Sequence, residues 1–117
     1  MNSRNKGKAG ELELAKFLRD HGIGARRGQQ FSGGTDSPDV VTDLTNVHFE
    51  CKRVEAGNVH NWMEQAKRDA GGWRLPIVAH RKNRTEWLAT LRLEDLLTLL
   101  VTAHHIPKEE DDGRSFD

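Results

Sequence analysis

Two acidic residues and a lysine occur in a short stretch whose spacing could bring their side chains together. Asp39 opens one apolar run, Glu50 and Lys52 end the next, and residues 43–46 between the runs favour a turn. If the two runs pair as a hairpin around that turn, Asp39 lies opposite Glu50. Side chains alternate along a strand, so Lys52 shares the face of Glu50. The spacing predicts two carboxylates and an ammonium group on one face of a hairpin.

Such a cluster is suited to binding a hard divalent cation. Opposed like charges destabilise a hairpin unless positive charge lies between them, and carboxylate oxygens are the ligands that Mg²⁺ and Mn²⁺ prefer. Beside the metal, the Lys52 ammonium could stabilise charge or orient a water molecule. The alternative is a surface hairpin with scattered charges. It fits less well because Val47 and Phe49 make this an apolar strand, where a merely solubilising charge is out of place.

The elements around this hairpin follow from hydrophobic periodicity. Helical spacing predicts an amphipathic helix over 6–21, followed by a short strand within 23–31 that carries Arg26 and Arg27. Residues 32–38 are rich in turn formers and form a loop. The hairpin strands then span 39–42 and 47–51.

The second half of the chain continues in the same way. Asn58 caps a helix that reaches about Ala70, strands follow at 75–79 and 86–90, and a leucine stripe predicts a last helix over 93–101. We therefore expect an α/β fold with a single domain over 1–107 and an acidic, disordered tail over 108–117.

The total charge of the chain is zero, but its acidic and basic residues are unevenly distributed. The 117 residues contain 18 basic and 18 acidic side chains, but removing the acidic tail leaves +3, and residues 1–34 alone carry +4. A basic N-terminal region is suited to binding nucleic acid, although an ordinary scatter of surface charge explains it equally well. One cysteine and no signal peptide lead us to expect an intracellular, cytoplasmic protein, and no apolar run is long enough to span a membrane.

The motifs together resemble the PD-(D/E)XK nuclease superfamily. Lys6 to Glu11 lead the first helix, Pro38-Asp39 open a strand, Glu50-Cys51-Lys52 end the next, and Gln65-Ala66 lie in the following helix. This order and spacing are most similar to the archaeal-type Holliday-junction resolvases. The resemblance implies a restriction-endonuclease-like core, with a central mixed β-sheet of about five strands flanked by helices.

The resemblance also implies roles for individual residues. The implied metal ligands for Mg²⁺, or Mn²⁺ as a substitute, are Asp39, Glu50, the carbonyl of Cys51 and Glu11. Lys52 is implied as the catalytic lysine and Gln65 as its support. DNA phosphates would be held by basic and polar residues near the first helix and strand, namely Lys6, Lys8, Arg26, Arg27 and Ser32.

The function that this resemblance implies is a metal-dependent endodeoxyribonuclease that cuts branched DNA such as a four-way junction. It implies a homodimer that acts in DNA recombination and repair. Another nicking or repair nuclease of the same superfamily and a non-catalytic DNA-binding module are the alternatives.

Several neighbouring residues receive other interpretations. The Cys51 side chain is expected to point into the core. His48 shares the predicted face of Glu50 and could approach a substrate, but we expect it to be a surface residue outside the site. Trp62, Trp73 and Trp87 fit core or dimer contacts better than base stacking. The turn at 81–84 is either a solvated hairpin tip or a second phosphate contact.

Overall fold

A computed structural model describes residues 3–28 and 39–104, with side chains described from Gly7 onward. Its elements are α1 Ser3–Asp20, β1 Ala25–Arg27, β2 Val40–Thr42, β3 Val47–Arg53, α2 Val59–Ala70, β4 Leu75–Arg81, β5 Leu88–Thr90 and α3 Leu93–His104. The expected order of elements is confirmed. Ser32, the Lys6 side chain and the tail at 108–117 lie outside the described residues.

The strands form one mixed sheet in the order β1-β2-β3-β4-β5. Only β3 and β4 are parallel among the described pairs, because α2 connects them as a crossover helix, and the other neighbours are antiparallel. The fold class is therefore α/β with a five-stranded mixed sheet in this part of the chain, as predicted. The hairpin register is also confirmed, since Val40 pairs with Phe49.

The two faces of the sheet are covered by different helices. On one face α1 buries Leu14, Ala15 and Leu18 against Val40 and Phe49. On the other face α2 buries Met63 and Ala66 against Val78. Even-numbered positions of β3 face α2, and odd-numbered positions face α1. Glu50 and Lys52 therefore point toward α2, whereas Cys51 packs against the α1 core, as expected.

The ends of α2 and β3 show why these elements form where they do. Asn58 accepts a hydrogen bond from the Asn61 backbone N–H at the start of α2, and Gly71 ends the helix in the left-handed conformation. β3 continues two residues beyond the predicted strand, to Arg53, because β4 pairs with it over its whole length. This extension keeps Lys52 within the sheet.

The last helix does not join the core. None of the α3 residues is buried, and Leu93, Leu97 and Leu100 are each at least half exposed. Within the described residues, the helices are all too short or too polar to cross a membrane.

Candidate active site

Six of the predicted site residues line one cleft of about 310 Å³ at the end of β3. One lies just before β2 and three lie in β3, and α1 and α2 each add one side chain from opposite faces of the sheet. The six residues are Glu11, Asp39, Glu50, Cys51, Lys52 and Gln65. Side chains from positions 11 to 65 of the chain thus meet in one place.

Asp39 and Glu50 form an acidic pair at the wall of this cleft. Asp39 accepts a hydrogen bond at 2.9 Å from the Cys51 backbone N–H, which fixes its carboxylate across the hairpin. Glu50 is only 1% exposed. Burial, and then the neighbouring Glu50 charge, raise the pKa of Asp39 to about 6. The two carboxyl groups therefore concentrate negative charge at this wall of the cleft.

Lys52 connects the acidic pair to α2. Its ammonium lies 3.8 Å from Glu50 Oε2 and donates a hydrogen bond to Gln65 Oε1 at 3.1 Å. Gln65 is half-buried on α2, three residues from partly buried Trp62 and next to buried Ala66, so the helix packing sets the position of its amide. The lysine is held toward the cleft instead of extending into solvent.

Glu11 reaches the cleft from α1 and is paired with Arg27. The Arg27 Nε donates to Glu11 Oε1 at 2.8 Å. Burial raises the pKa of Glu11, and the hydrogen bond from Arg27 opposes that shift only in part. The helix comes this close because residue 10 is glycine, where an added Cβ would lie 2.5 Å from the Cβ of Arg53. Gly10 therefore explains part of the Lys6 to Glu11 motif.

The five residues proposed as DNA contacts have different environments. Lys8 and Arg26 are exposed, as a phosphate contact requires. Arg27 is instead paired with Glu11, so its guanidinium is bonded to a residue of the cleft. Lys6 and Ser32 stay predictions, because their side chains lie outside the described residues.

The expectation that His48 is a surface residue was wrong. Its ring is 4% exposed and its Nε2 lies 3.2 Å from Glu50 Oε1. His48, Glu50 and Asp69 place one potential ligand atom each within 4.8 Å of one another. His48 and Asp69 lie behind Glu50, away from the cleft that Asp39 and Lys52 line. The period-two pattern put His48 on the face of Glu50, but no local signal showed that α2 covers this position.

The expectation that the Cys51 side chain points into the core is confirmed, and it bears on the reactivity of the thiol. Its thiol packs into the α1 core, and burial raises its pKa above the ordinary value. A thiol in this state is a poor nucleophile at neutral pH.

An ion-pair network that the sequence pattern did not indicate borders the cleft. Glu13 of α1 accepts hydrogen bonds from Arg53 and Arg81, which end the parallel strands β3 and β4. The network ties α1 to the edge of the sheet where the cleft opens.

The donor set fits a divalent metal ion. Asp39, Glu50 and Glu11 all line the cleft, and their carboxylates are oxygen donors of the kind that Mg²⁺ and Mn²⁺ prefer. A bound cation would offset the repulsion between Asp39 and Glu50, which contributes to the raised pKa of Asp39.

Comparison with known proteins agrees with this geometry. No curated protein matches the chain. The chain is similar in fold to Archaeoglobus fulgidus Hjc, a Holliday junction resolvase from an archaeal hyperthermophile, with a TM-score of 0.51 and 22% identity over 74% of this chain and 72% of that one. This likeness supports the restriction-endonuclease-like fold. The family model described as "Phage putative PDDEXK endonuclease" matches residues 2–111. Because that match covers nearly the whole sequence, the chain belongs to this family of PDDEXK endonucleases.

Proposed function

We propose that this protein is a divalent-metal-dependent endodeoxyribonuclease that hydrolyses phosphodiester bonds in branched DNA. The observation that carries the proposal is the pair of half-buried Asp39 and buried Glu50 with the Lys52 ammonium 3.8 Å from Glu50. A protein that only bound DNA would gain nothing from a cluster of carboxylates facing phosphates. Neighbouring carboxylates that are shielded from water lower the stability of the fold, and metal-assisted hydrolysis is a function that requires them.

Asp39, Glu50 and Glu11, with the backbone carbonyl of Cys51, are the groups that would hold Mg²⁺ or Mn²⁺. When bound, the metal supplies charge stabilisation on the phosphoryl oxygens and lowers the pKa of a water nucleophile. The protein contributes the orientation of its ligands. The Cys51 N–H holds Asp39, and His48 holds the buried oxygen of Glu50.

Lys52 acts on the same phosphate from the α2 side of the cleft. Its ammonium can donate to a nonbridging oxygen as negative charge develops there. Gln65 keeps the lysine in place by accepting its hydrogen bond at 3.1 Å. Because Gln65 holds Lys52 through another side chain, its role is positioning.

The exposed cations beside the cleft suit the DNA backbone. Lys8 and Arg26 are exposed on α1 and β1, the two elements that flank Glu11, and we assign phosphate contacts to them and to Lys6, Arg27 and Ser32. Arg27 would then contact a phosphate while it remains paired with Glu11.

Symmetric cutting of a four-way junction requires two such sites, so we propose a homodimer. The exposed leucines of α3 support this proposal, since a soluble monomer rarely leaves a continuous apolar stripe uncovered.

The decisive experiment compares cleavage of end-labelled four-way junction, flap, single-stranded and linear duplex DNA in Mg²⁺, Mn²⁺ and EDTA. We expect paired nicks in the junction with either metal and none with EDTA. Asp39→Ala and Lys52→Ala should abolish cutting while junction binding persists, and Asp43→Asn in the exposed hairpin turn is the matched control.

The same substrate panel separates the alternatives. Preferential cutting of a flap or a nicked duplex would indicate another nuclease activity of this superfamily. A wild-type protein that binds junctions but cuts no DNA form in either metal would instead be a binding module.

A further inference from the structure

A second cavity beside the cleft has partly aromatic walls. We call it the Trp62 pocket; it holds about 560 Å³ and is lined chiefly by Val54, Trp62, His80, Lys82 and Leu88. Val54 also lines the active-site cleft, so the two cavities share part of a wall. The proposed hydrolysis does not use this pocket.

The pocket adjoins the proposed catalytic groups both across the sheet and along α2. Lys52 pairs with His80 in the parallel register, so both side chains lie on the α2 face of strands about 4.8 Å apart. On α2, Trp62 and Gln65 are three residues apart and therefore neighbours on the helix surface. The Trp62 and His80 rings, 5.6 Å apart, thus lie directly beside the Lys52 and Gln65 hydrogen bond.

The indole is fixed in its orientation. An added Cβ at Gly57, whose φ is +154°, would lie 2.3 Å from Trp62 Cζ2, so only glycine lets the ring lie against the backbone there. The ring packs over the Met63, Ala66 and Val78 cluster and is only partly buried. A rigid aromatic surface that remains partly open is suited to stacking.

The mouth of the pocket combines a fixed turn with exposed positive charge. The Asn83 N–H donates to Glu55 Oε2 at 2.8 Å and the Lys82 N–H donates to Thr85 Oγ1 at 3.1 Å. These bonds hold the turn against the loop that precedes α2, and they leave the side chains of Lys82 and Arg84 exposed. Glu55, the acidic residue of the lining, is paired with Arg53 and the Asn83 N–H.

Aromatic surface, apolar walls and an exposed cation in one pocket match the parts of a nucleotide: the rings suit a base and the lysine suits a phosphate. We propose that the Trp62 pocket receives one unpaired base of the bound strand, next to the phosphodiester that is cut, with Lys82 on the flanking phosphate. This proposal rests on the proposed nuclease function. A base leaves its stack most cheaply where pairing is already interrupted, so the pocket would favour branched over linear DNA.

Photochemical cross-linking tests this directly on the intact chain. The Asp39→Asn variant is bound to a four-way junction with 5-iododeoxyuridine at single positions around the cut mapped with the wild type, and it is then irradiated and digested with trypsin. The three tryptophans fall in separate tryptic peptides, 54–67, 69–74 and 85–92. We expect a cross-link in peptide 54–67 at one nucleotide position, retained in Trp62→Phe and lost in Trp62→Ala.

Cleavage rates give a second readout. Trp62→Ala should lower the ratio of junction to linear-duplex cleavage roughly fivefold or more, the fold-change expected for loss of one stacked base. Trp62→Phe should restore most of it. Lys82→Ala should weaken junction binding, whereas Lys16→Ala, an exposed lysine near the far end of α1, and Trp73→Ala, 62% exposed, serve as controls.

Cross-links confined to the other two peptides, or none at all with a bound junction, would overturn the base pocket. An unchanged junction preference in a folded Trp62→Ala would do the same. A chain that cuts DNA without this cross-link loses only the pocket proposal, whereas a chain that binds no DNA loses the proposed function as well.

Discussion

His48 Nε2 lies 3.2 Å from Glu50 Oε1, and both side chains are at most 4% exposed on the α2 face of β3. One oxygen of Glu50 is therefore held from the interior while the other lies toward Lys52 and the cleft. A metal ligand restrained in this way loses little freedom when the ion binds.

Replacing His48 by alanine should weaken both the fold and the metal site. Glu50 would lose a partner in the interior, so we expect the free energy of unfolding in urea to fall by about 1–3 kcal/mol. Metal affinity, measured by the Mn²⁺ dependence of the melting temperature, should fall roughly tenfold or more. His60→Ala, at an exposed position of α2, is the control. Unchanged Mn²⁺ affinity in a folded His48→Ala would show that this contact does not position Glu50.

Asp39→Asn should stabilise the metal-free protein at neutral pH. A carboxyl group whose pKa is higher in the folded chain stabilises the fold below its unfolded pKa, and this contribution disappears as pH rises through the folded pKa. For Asp39 these values are 3.8 and about 6. We therefore expect the metal-free wild type to lose roughly 3 kcal/mol of stability across that interval.

The measurement is urea unfolding from pH 4 to pH 8 with and without Mg²⁺. Asp39→Asn should show a smaller loss with pH, and Mg²⁺ should stabilise the wild type selectively. Asp20→Asn is the matched control, because Lys16 lowers the pKa of that exposed carboxyl group and its removal should bring no gain. Greater stability of the wild type than of Asp39→Asn without metal at pH 7.5 would contradict the prediction.

Lys52→Met should separate catalysis from binding. The ammonium is held at the cleft by Gln65, so its loss should lower single-turnover cleavage by roughly 100-fold or more, while junction affinity changes little. Gln65→Ala should produce a smaller loss, because the lysine remains but is less well placed. Lys67→Met, an exposed position on the same helix, controls for loss of positive charge. Equal losses of binding and cleavage in Lys52→Met would place the lysine among general DNA contacts.

The hairpin and the acidic pair could be predicted from sequence because their determinants are local. A turn of four residues fixes the register, and strand alternation then puts Asp39, Glu50 and Lys52 on one face. Asn58 similarly marks the start of α2 by a hydrogen bond three residues away.

The positions that could not be predicted depend on contacts between distant segments. Arg27 was expected to hold a DNA phosphate, yet α1 packs beside its strand and supplies Glu11 from sixteen residues earlier. His48 is covered by α2 in the same way. Period-two alternation assigns a face to each side chain, but only the packing of helices decides what covers that face.

The Glu11 and Arg27 pair should be coupled more strongly than a surface ion pair. Both side chains are less than one-third exposed and the bond is 2.8 Å long. A double-mutant cycle with Glu11→Gln and Arg27→Gln, followed by urea unfolding, should give a coupling energy of about 1 kcal/mol. The exposed Lys16 and Asp20 pair has the same N···O distance and should give a smaller coupling, because solvent screens it. Equal couplings would mean that burial of the Glu11 carboxylate adds nothing to the pair.

Leu97→Glu should convert the proposed homodimer to a monomer. The apolar positions of α3 recur at 93, 96, 97 and 100, which forms one stripe on the helix, and none of them is buried by the rest of the described chain. A carboxylate in the middle of a buried stripe leaves an unpaired charge, so association should weaken by several kcal/mol. Light scattering at increasing protein concentration measures the mass, and Leu44→Glu, at an exposed turn between β2 and β3, is the control.

The monomer should still nick DNA but lose paired incisions in a junction, because each chain carries its own cleft. A wild-type mass of one chain at all concentrations would contradict the dimer, and paired incisions by monomeric Leu97→Glu would remove the need for it.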